Sequence, residues 1–285
     1  MDDLAALRLQ IEWGADEALE DAPVDRVHRV QVHAPAALAP PPRIQSGAVS
    51  SPAPSVEEGV RRALSRGVGE LGDTAVPSRA GAAERALQVA AGASTLEELR
   101  AAVAAFDGCA LRDTASHLVF AAGDPAASLL VIGEPPGADD DRSGAPFAGA
   151  AGAYLDRMLG SIGLARDALL LTPLIPWRPP GDRPPNPGEL AICLPFLRRL
   201  VAIVGPARLL LLGALAARSL LPQSAARRRP RGAWMDTAEG VPALPTFSPV
   251  ELMRSAKDRR AAWADLRLLR RTLDADASDG DASGG

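Results

Sequence analysis

The sequence predicts an α/β fold: a three-layer α/β/α sandwich around a central, mostly parallel four-stranded sheet. Three observations carry this. Short apolar runs at 129–132, 168–171, 209–212 and 243–246 have the length of buried strands. Each precedes a stretch of helical spacing, over connections long enough for crossovers. The Gly- and Pro-rich loops all leave the carboxyl ends of these runs, where open α/β sheets hold their ligands.

Residues 4–20 carry Leu4, Leu7, Leu9, Ile11, Trp13 and Leu19 at helical spacing and predict a short amphipathic helix. Residues 22–56 are rich in Ala, Pro, Val and Ser and read as a flexible linker, in which His28 and His33 are solvated. One further helix is expected between Ser55 and Ala80, poorly packed. The segment 1–93 is thus expected to be largely disordered, and the folded domain to span 94–273. It opens on Ser94, with Glu97 three residues on as a capping box requires. A short edge strand is expected at 118–121. The first central strand, 129–132, ends at Gly133, and 152–164 spaces Tyr154, Leu155, Met158, Leu159 and Ile162 for a helix on the sheet. Strand 168–171 leads into a proline-stiffened loop, 172–185. Pro187 then starts a helix over 189–204, which Gly205-Pro206 stops. Strand 209–212, helix 214–221, a basic loop with Arg227, Arg228, Arg229 and Arg231, strand 243–246 and helix 257–273 follow. The acidic, glycine-rich tail 274–285 is expected to be disordered.

Charge is unevenly spread: 1–106 is net −5, 107–273 net +5 and the tail −4. A positive folded region suits a polyanion, though +5 is modest. Two cysteines, Cys109 and Cys193, cannot supply a four-thiolate site, and they indicate a reducing compartment rather than a disulfide framework. The acidic N-terminus lacks the order of a signal peptide, and no apolar run reaches membrane-spanning length. The expectation is a cytoplasmic monomer with no membrane partner.

The loops carry the specific signal. Gly133 to Gly152 reads GEPPGADDDRSGAPFAGAAG, Thr172 to Pro184 reads TPLIPWRPPGDRP, and Phe247 to Arg254 reads FSPVELMR, after a basic loop that ends Arg231-Gly232-Ala233-Trp234. These resemble, in order, GEAPGxxEDxxGxPFVGxAG, a threonine-asparagine pair leading into WRPPGNRxP, and HPAYLLR of the family 4 uracil-DNA glycosylases. The resemblance covers about residues 95–273. It implies hydrolysis of the bond between uracil and deoxyribose after the nucleotide leaves the stack, with uracil-containing DNA as partner. By the same resemblance Phe147 stacks on the base, and the turn Gly133, Glu134, Pro135, Gly137 presents its backbone to the pyrimidine. Position 173 reads the base edge, and position 248 stabilises charge on the departing base. Arg178, Arg183, Arg229, Arg231 and Arg254 hold phosphates.

The chain departs from that pattern at both polar positions. Pro173 stands for the recognition asparagine and Ser248 for the histidine. Pro135 stands where some other glycosylase families hold a water-activating aspartate. Glu134 and Ser248 are left as the catalytic candidates. Phe106 replaces the first cysteine of the iron–sulfur set, Cys109 matches the second and Cys193 a third, so the cluster is expected to be lost, leaving no metal and no cofactor. Two other readings stay open: a relative that binds DNA or a base without turnover, and an unrelated α/β domain binding a nucleotide at 133–152. The acidic run Asp139–Asp141 is expected to be solvated or helix-capping, and Trp177 structural.

Overall fold

The computed structural model describes residues 79–222 and 231–282. The helix and linker expected in the first third, His28, His33 and Arg227 to Arg229 lie outside the described residues.

Helices α1 (Arg79–Gly92), α2 (Leu96–Ala105) and α3 (Ala110–Thr114) precede the sheet. Then come β1 (Ala122–Gly123), β2 (Leu129–Ile132), α4 (Ala138–Ser143), α5 (Gly149–Gly160), β3 (Leu170–Thr172), α6 (Pro187–Val204), β4 (Arg208–Leu212), α7 (Ala214–Leu220), β5 (Met235–Asp236), β6 (Pro242–Thr246), α8 (Pro249–Arg254) and α9 (Arg259–Ala282). The strand order is β1-β3-β2-β4-β6-β5. The four expected strands form the parallel centre, with Leu130 opposite both Leu170 and Leu209, and Leu210 opposite Leu244. Among the described residues the sheet has six strands rather than four, because two-residue strands cap both edges antiparallel. No periodicity can announce a strand of two residues. The edge strand expected at 118–121 is displaced to Ala122–Gly123.

Alternation along the strands divides the core. Leu130, Ile132, Leu170, Leu209 and Leu211 pack with residues of α1, α2, α6 and α7. Leu129, Val131, Leu171, Leu210, Leu212 and Leu244 pack with Tyr154, Leu155, Met158 and Leu159 of α5 and with Leu252, Ala262, Leu266 and Leu269 of α8 and α9. The result is the three-layer sandwich. β2 and β4 are buried along nearly their whole length, and each fully buried Leu or Ile contributes about 1.5–3 kcal/mol.

Helix ends follow side-chain chemistry. Asn186 caps α6 and exchanges hydrogen bonds with Glu189, Pro187 takes the first helical position, and Gly205 closes the helix at φ 58°. The first capping box lies one residue later than expected, at Thr95 and Glu98. Packing also begins before residue 94: Ala82, Ala86 and Ala90 of α1 are buried in the core. At the other end α9 continues to Ala282, into the segment expected to be a disordered tail, and Arg208 there pairs with Asp276 at 2.5 Å. Among the described residues no helix is long and apolar enough to cross a membrane.

Candidate active site

The loops that leave β2, β3 and β6 converge at the carboxyl edge of the sheet, beside the point where strand order runs from β2 outward in both directions. They enclose a cavity of about 500 Å³. Glu134, Pro135 and Gly137 come from the β2 loop, Phe147 from the segment before α5, Pro173 from the β3 loop, and Ser248 and Arg254 from the two ends of α8. Seven of the residues singled out in the sequence thus meet in one place. Gly133 lies directly behind, where a Cβ would stand 2.4 Å from Phe147 Cζ. Only a glycine lets that ring lie on the backbone.

Phe147 is held against its own preference. Its φ is +55°, in the left-handed region that β-carbon sterics disfavour. Three contacts over-determine it. Arg166 donates to the carbonyls of Pro146 and Phe147 at 2.6 and 3.2 Å. The next amide, Ala148 N–H, donates to Asp140 Oδ1 at 2.6 Å. Gly152 sits so close that a Cβ there would be 1.7 Å from the Phe147 carbonyl oxygen. Strained residues that surrounding structure holds in place concentrate at functional sites.

The acidic run is a brace. Asp140 accepts from Gly137 N–H at 2.9 Å and from Ala148 N–H, tying the β2 loop to the stacking segment. Burial raises its carboxyl above the usual carboxylate value, against the pull of those two donors. Asp141 is buried and accepts from the N–H groups of Ser116 and His117 at 2.8 and 3.2 Å. Burial opposes its charge, but these donors outweigh it and hold the carboxyl below its ordinary value. His117 is engaged here, its Nδ1 lying 2.7 Å from the Asp141 carbonyl oxygen, away from the cavity. Gly137 and Asp140 stand three apart at a helix start, so that half of the brace was readable. The bonds to Ser116, His117 and Arg166 cross about 20 or more residues and leave no local signature. We expect Asp140→Ala to lower stability by about 2 kcal/mol, roughly 4–8 °C in a thermal melt, by leaving two amides without their acceptor.

Glu134 and Ser248 share the cavity floor. Ser248 is 1% exposed and caps α8, where its hydroxyl accepts from Glu251 N–H at 3.2 Å. Burial pushes the Glu134 carboxyl above its ordinary value; the hydrogen bond from the Ser248 hydroxyl opposes the rise, Glu251 adds to it and Arg254 opposes it. The Glu134 side chain rests on Gly213 at the start of α7, where a Cβ would be 2.9 Å from Oε1. Val250 and Met253, 36% and 45% exposed, form an apolar lip beside Arg254.

Three more of the arginines singled out in the sequence have intramolecular partners. Arg178 pairs with Asp182 at 2.7 Å, and Arg183 grips Glu189 with two nitrogens at 2.8 and 2.6 Å. Arg231 bonds Asp265 and stacks over Phe247, 5.0 Å from the ring centroid. None of these three is among the residues lining the cavity. Trp177 is buried in the core, as expected.

An iron–sulfur cluster does not fit the residues present. The chain has only two cysteines, and the Phe106 ring fills the space nearby, packed edge-on against Phe196 at 5.2 Å. Among the described residues no group of three or more His, Cys, Asp or Glu could hold a metal.

Residues 120–267 match the model of the Uracil DNA glycosylase superfamily. A type-4 uracil-DNA glycosylase of Thermotoga maritima is 30% identical over 161 residues, 55% of this chain and 84% of that protein. One from Pyrobaculum aerophilum is 34% identical over 126 residues, 44% of this chain and 64% of the relative. One from Archaeoglobus fulgidus is 39% identical over 109 residues, 38% and 55%. The chain therefore spans under two thirds of the last two proteins and most of the first.

Proposed function

Because the chain belongs to the uracil-DNA glycosylase superfamily, with type-4 relatives, we propose that its cavity receives a uracil flipped out of DNA and that it cleaves the glycosidic bond slowly, without a metal or cluster. The observation that carries this is the Phe147 ring, locked in a strained backbone over Gly133 at one wall of a cavity whose floor holds Glu134 and Ser248. A flat wall of that kind binds a base by its π-face. Membership of this superfamily disfavours an unrelated nucleotide-binding domain.

Slow turnover follows from the floor. As the bond breaks, negative charge builds on the departing base and needs donors aimed at it. Ser248 carries one hydroxyl hydrogen, is engaged as the cap of α8, and cannot become cationic. Pro173 offers the base edge no side-chain donor or acceptor. Of the carboxylates lining the cavity, Asp140 is taken by two amides and Asp139 by Arg142, which leaves Glu134 to respond to the positive charge that develops on the sugar, or to orient a water. Binding of DNA or base without turnover is the second reading, favoured by Ser248 being committed as a helix cap.

Incubation with labelled uracil-containing single- and double-stranded DNA, followed by alkaline scission of abasic sites, tests the first reading. Strand breaks that depend on uracil support it, and none at enzyme excess leaves the second. A pH series adds the role of Glu134. If its carboxylate acts in the ionised form, excision rises with pH through a midpoint above 4.5, and Glu134→Gln removes that rise. The sign for stability is opposite. A carboxyl raised on folding stabilises the fold below its unfolded value, and that contribution is lost as pH rises through the folded one. Glu134→Gln should therefore melt progressively higher than the parent as pH rises through the raised Glu134 value.

A further inference from the structure

Cys109 and Cys193 lie 84 residues apart in sequence with their Sγ atoms 4.0 Å apart, both buried. We propose that this pair is an oxidation site, at which a hydroperoxide closes a reversible disulfide between the segment before α3 and the middle of α6. The sulfurs already face each other, and bonding at about 2.0 Å asks each to move roughly 1 Å. The chain has no third cysteine to compete.

The two positions differ in a way that sets the order of events. Cys109 is the N-cap of the five-residue α3 and makes no side-chain cap bond there. Its neighbours Asp107, Ala110 and Arg112 are exposed, so the segment lies one layer below solvent and needs only local opening to admit a small oxidant. Cys193 sits within the 18-residue α6 and is fully buried. The hydrogen bond that the two sulfurs share, with burial added, pushes Cys193 well above its ordinary value. Glu189 is the acid that faces both. Cys109, the sulfur that a small oxidant reaches first through those exposed neighbours, is therefore the attacking one.

Its sulfur attacks the peroxide, breaking the O–O bond, and becomes a sulfenic acid as hydroxide leaves. The Cys193 sulfur then attacks the sulfenic sulfur, the S–S bond forms, and the hydroxyl leaves as water with the Cys193 proton. Two thiols and one hydrogen peroxide give one disulfide and two waters, and a dithiol reductant reverses it. The closed loop contains β2, β3, Phe147 and Pro173, so oxidation ties together the stretch that builds most of the cavity wall.

The full chain, reduced and then treated with hydrogen peroxide, is denatured in N-ethylmaleimide and weighed intact. The expected mass is 2 Da below the reduced protein with no alkylation, and dithiothreitol restores two alkylatable thiols. Closing a loop of this length predicts a melting temperature higher by roughly 5–15 °C in the oxidised form. Cys109→Ser keeps one alkylatable thiol, Cys193→Ser leaves Cys109 as a sulfenic acid about 16 Da heavier, and both lose the rise. Two alkylated thiols after a treatment that fully oxidises a small dithiol overturn the proposal. So does a disulfide between chains on a non-reducing gel, or Cys109 oxidised to sulfinic acid with no crosslink. The mass measurement on the unmutated chain decides even if a variant fails to fold.

Discussion

A Pro173→Asn, Ser248→His double variant excises uracil at least 100-fold faster than the parent, with each single change giving much less. Removing one donor from an oxyanion site costs about 100- to 1,000-fold in rate, and this chain lacks both the charged donor and the amide that reads the base. Restoring histidine supplies a group that can carry positive charge where charge builds on the base. Restoring asparagine holds the base in register, so each helps the other and the effects exceed additivity. The geometry admits both: Pro173 and Ser248 already line the same cavity of about 500 Å³, with Phe147 and Glu134 beside them. The change has a structural cost. Ser248 caps α8 through Glu251 N–H, and losing that bond costs about 1 kcal/mol. The double variant should thus melt a few degrees lower while cutting faster. A folded double variant that releases no uracil would sink this reading of the floor and favour binding without turnover. Single-turnover kinetics on uracil-containing oligonucleotides measure the gain directly.

The sheet was legible because its signal is local. Four apolar runs between glycines and prolines must be buried, and the helical spacing between them requires crossovers. The cavity was legible for a different reason: its walls are loops whose residue types are unusual, such as a lone aromatic among Gly, Ala and Pro. What stayed hidden depends on long-range pairing. The spacing of Gly137 and Asp140 shows a helix cap but not that Asp140 also holds Ala148, and nothing near Arg166 says that it reaches back to hold Phe147. Arg178 and Arg183, expected to hold phosphates, each pair in the folded chain with an acid, four and six residues on, which their surrounding sequence does not announce. In the acidic tail glycine and aspartate argue for disorder by composition, while α9 runs on into it and Asp276 pairs with Arg208, a partner 68 residues away.

Truncating Phe147 tests the feature on which the cavity rests. Phe147→Ala is expected to weaken binding and excision of uracil-DNA by roughly 10- to 100-fold, since stacking on an aromatic is worth about 1–3 kcal/mol per base. Loss of ring packing would also lower stability, so a melt alone cannot separate a stacking wall from an ordinary half-buried phenylalanine. Phe147→Gly separates them. Both variants lack the ring, but at φ +55° glycine is free of the β-carbon clash that alanine keeps. The glycine variant should therefore be more stable than the alanine variant by about 1 kcal/mol, ~2–4 °C, while the two bind and excise equally poorly. Gly133→Ala completes the set from the other side. Its Cβ would meet the ring at 2.4 Å and force it off the turn, so excision falls although the aromatic remains. If Phe147 served packing alone, activity would follow the melting temperature through the series. If it is the stacking wall, activity follows the ring and its position.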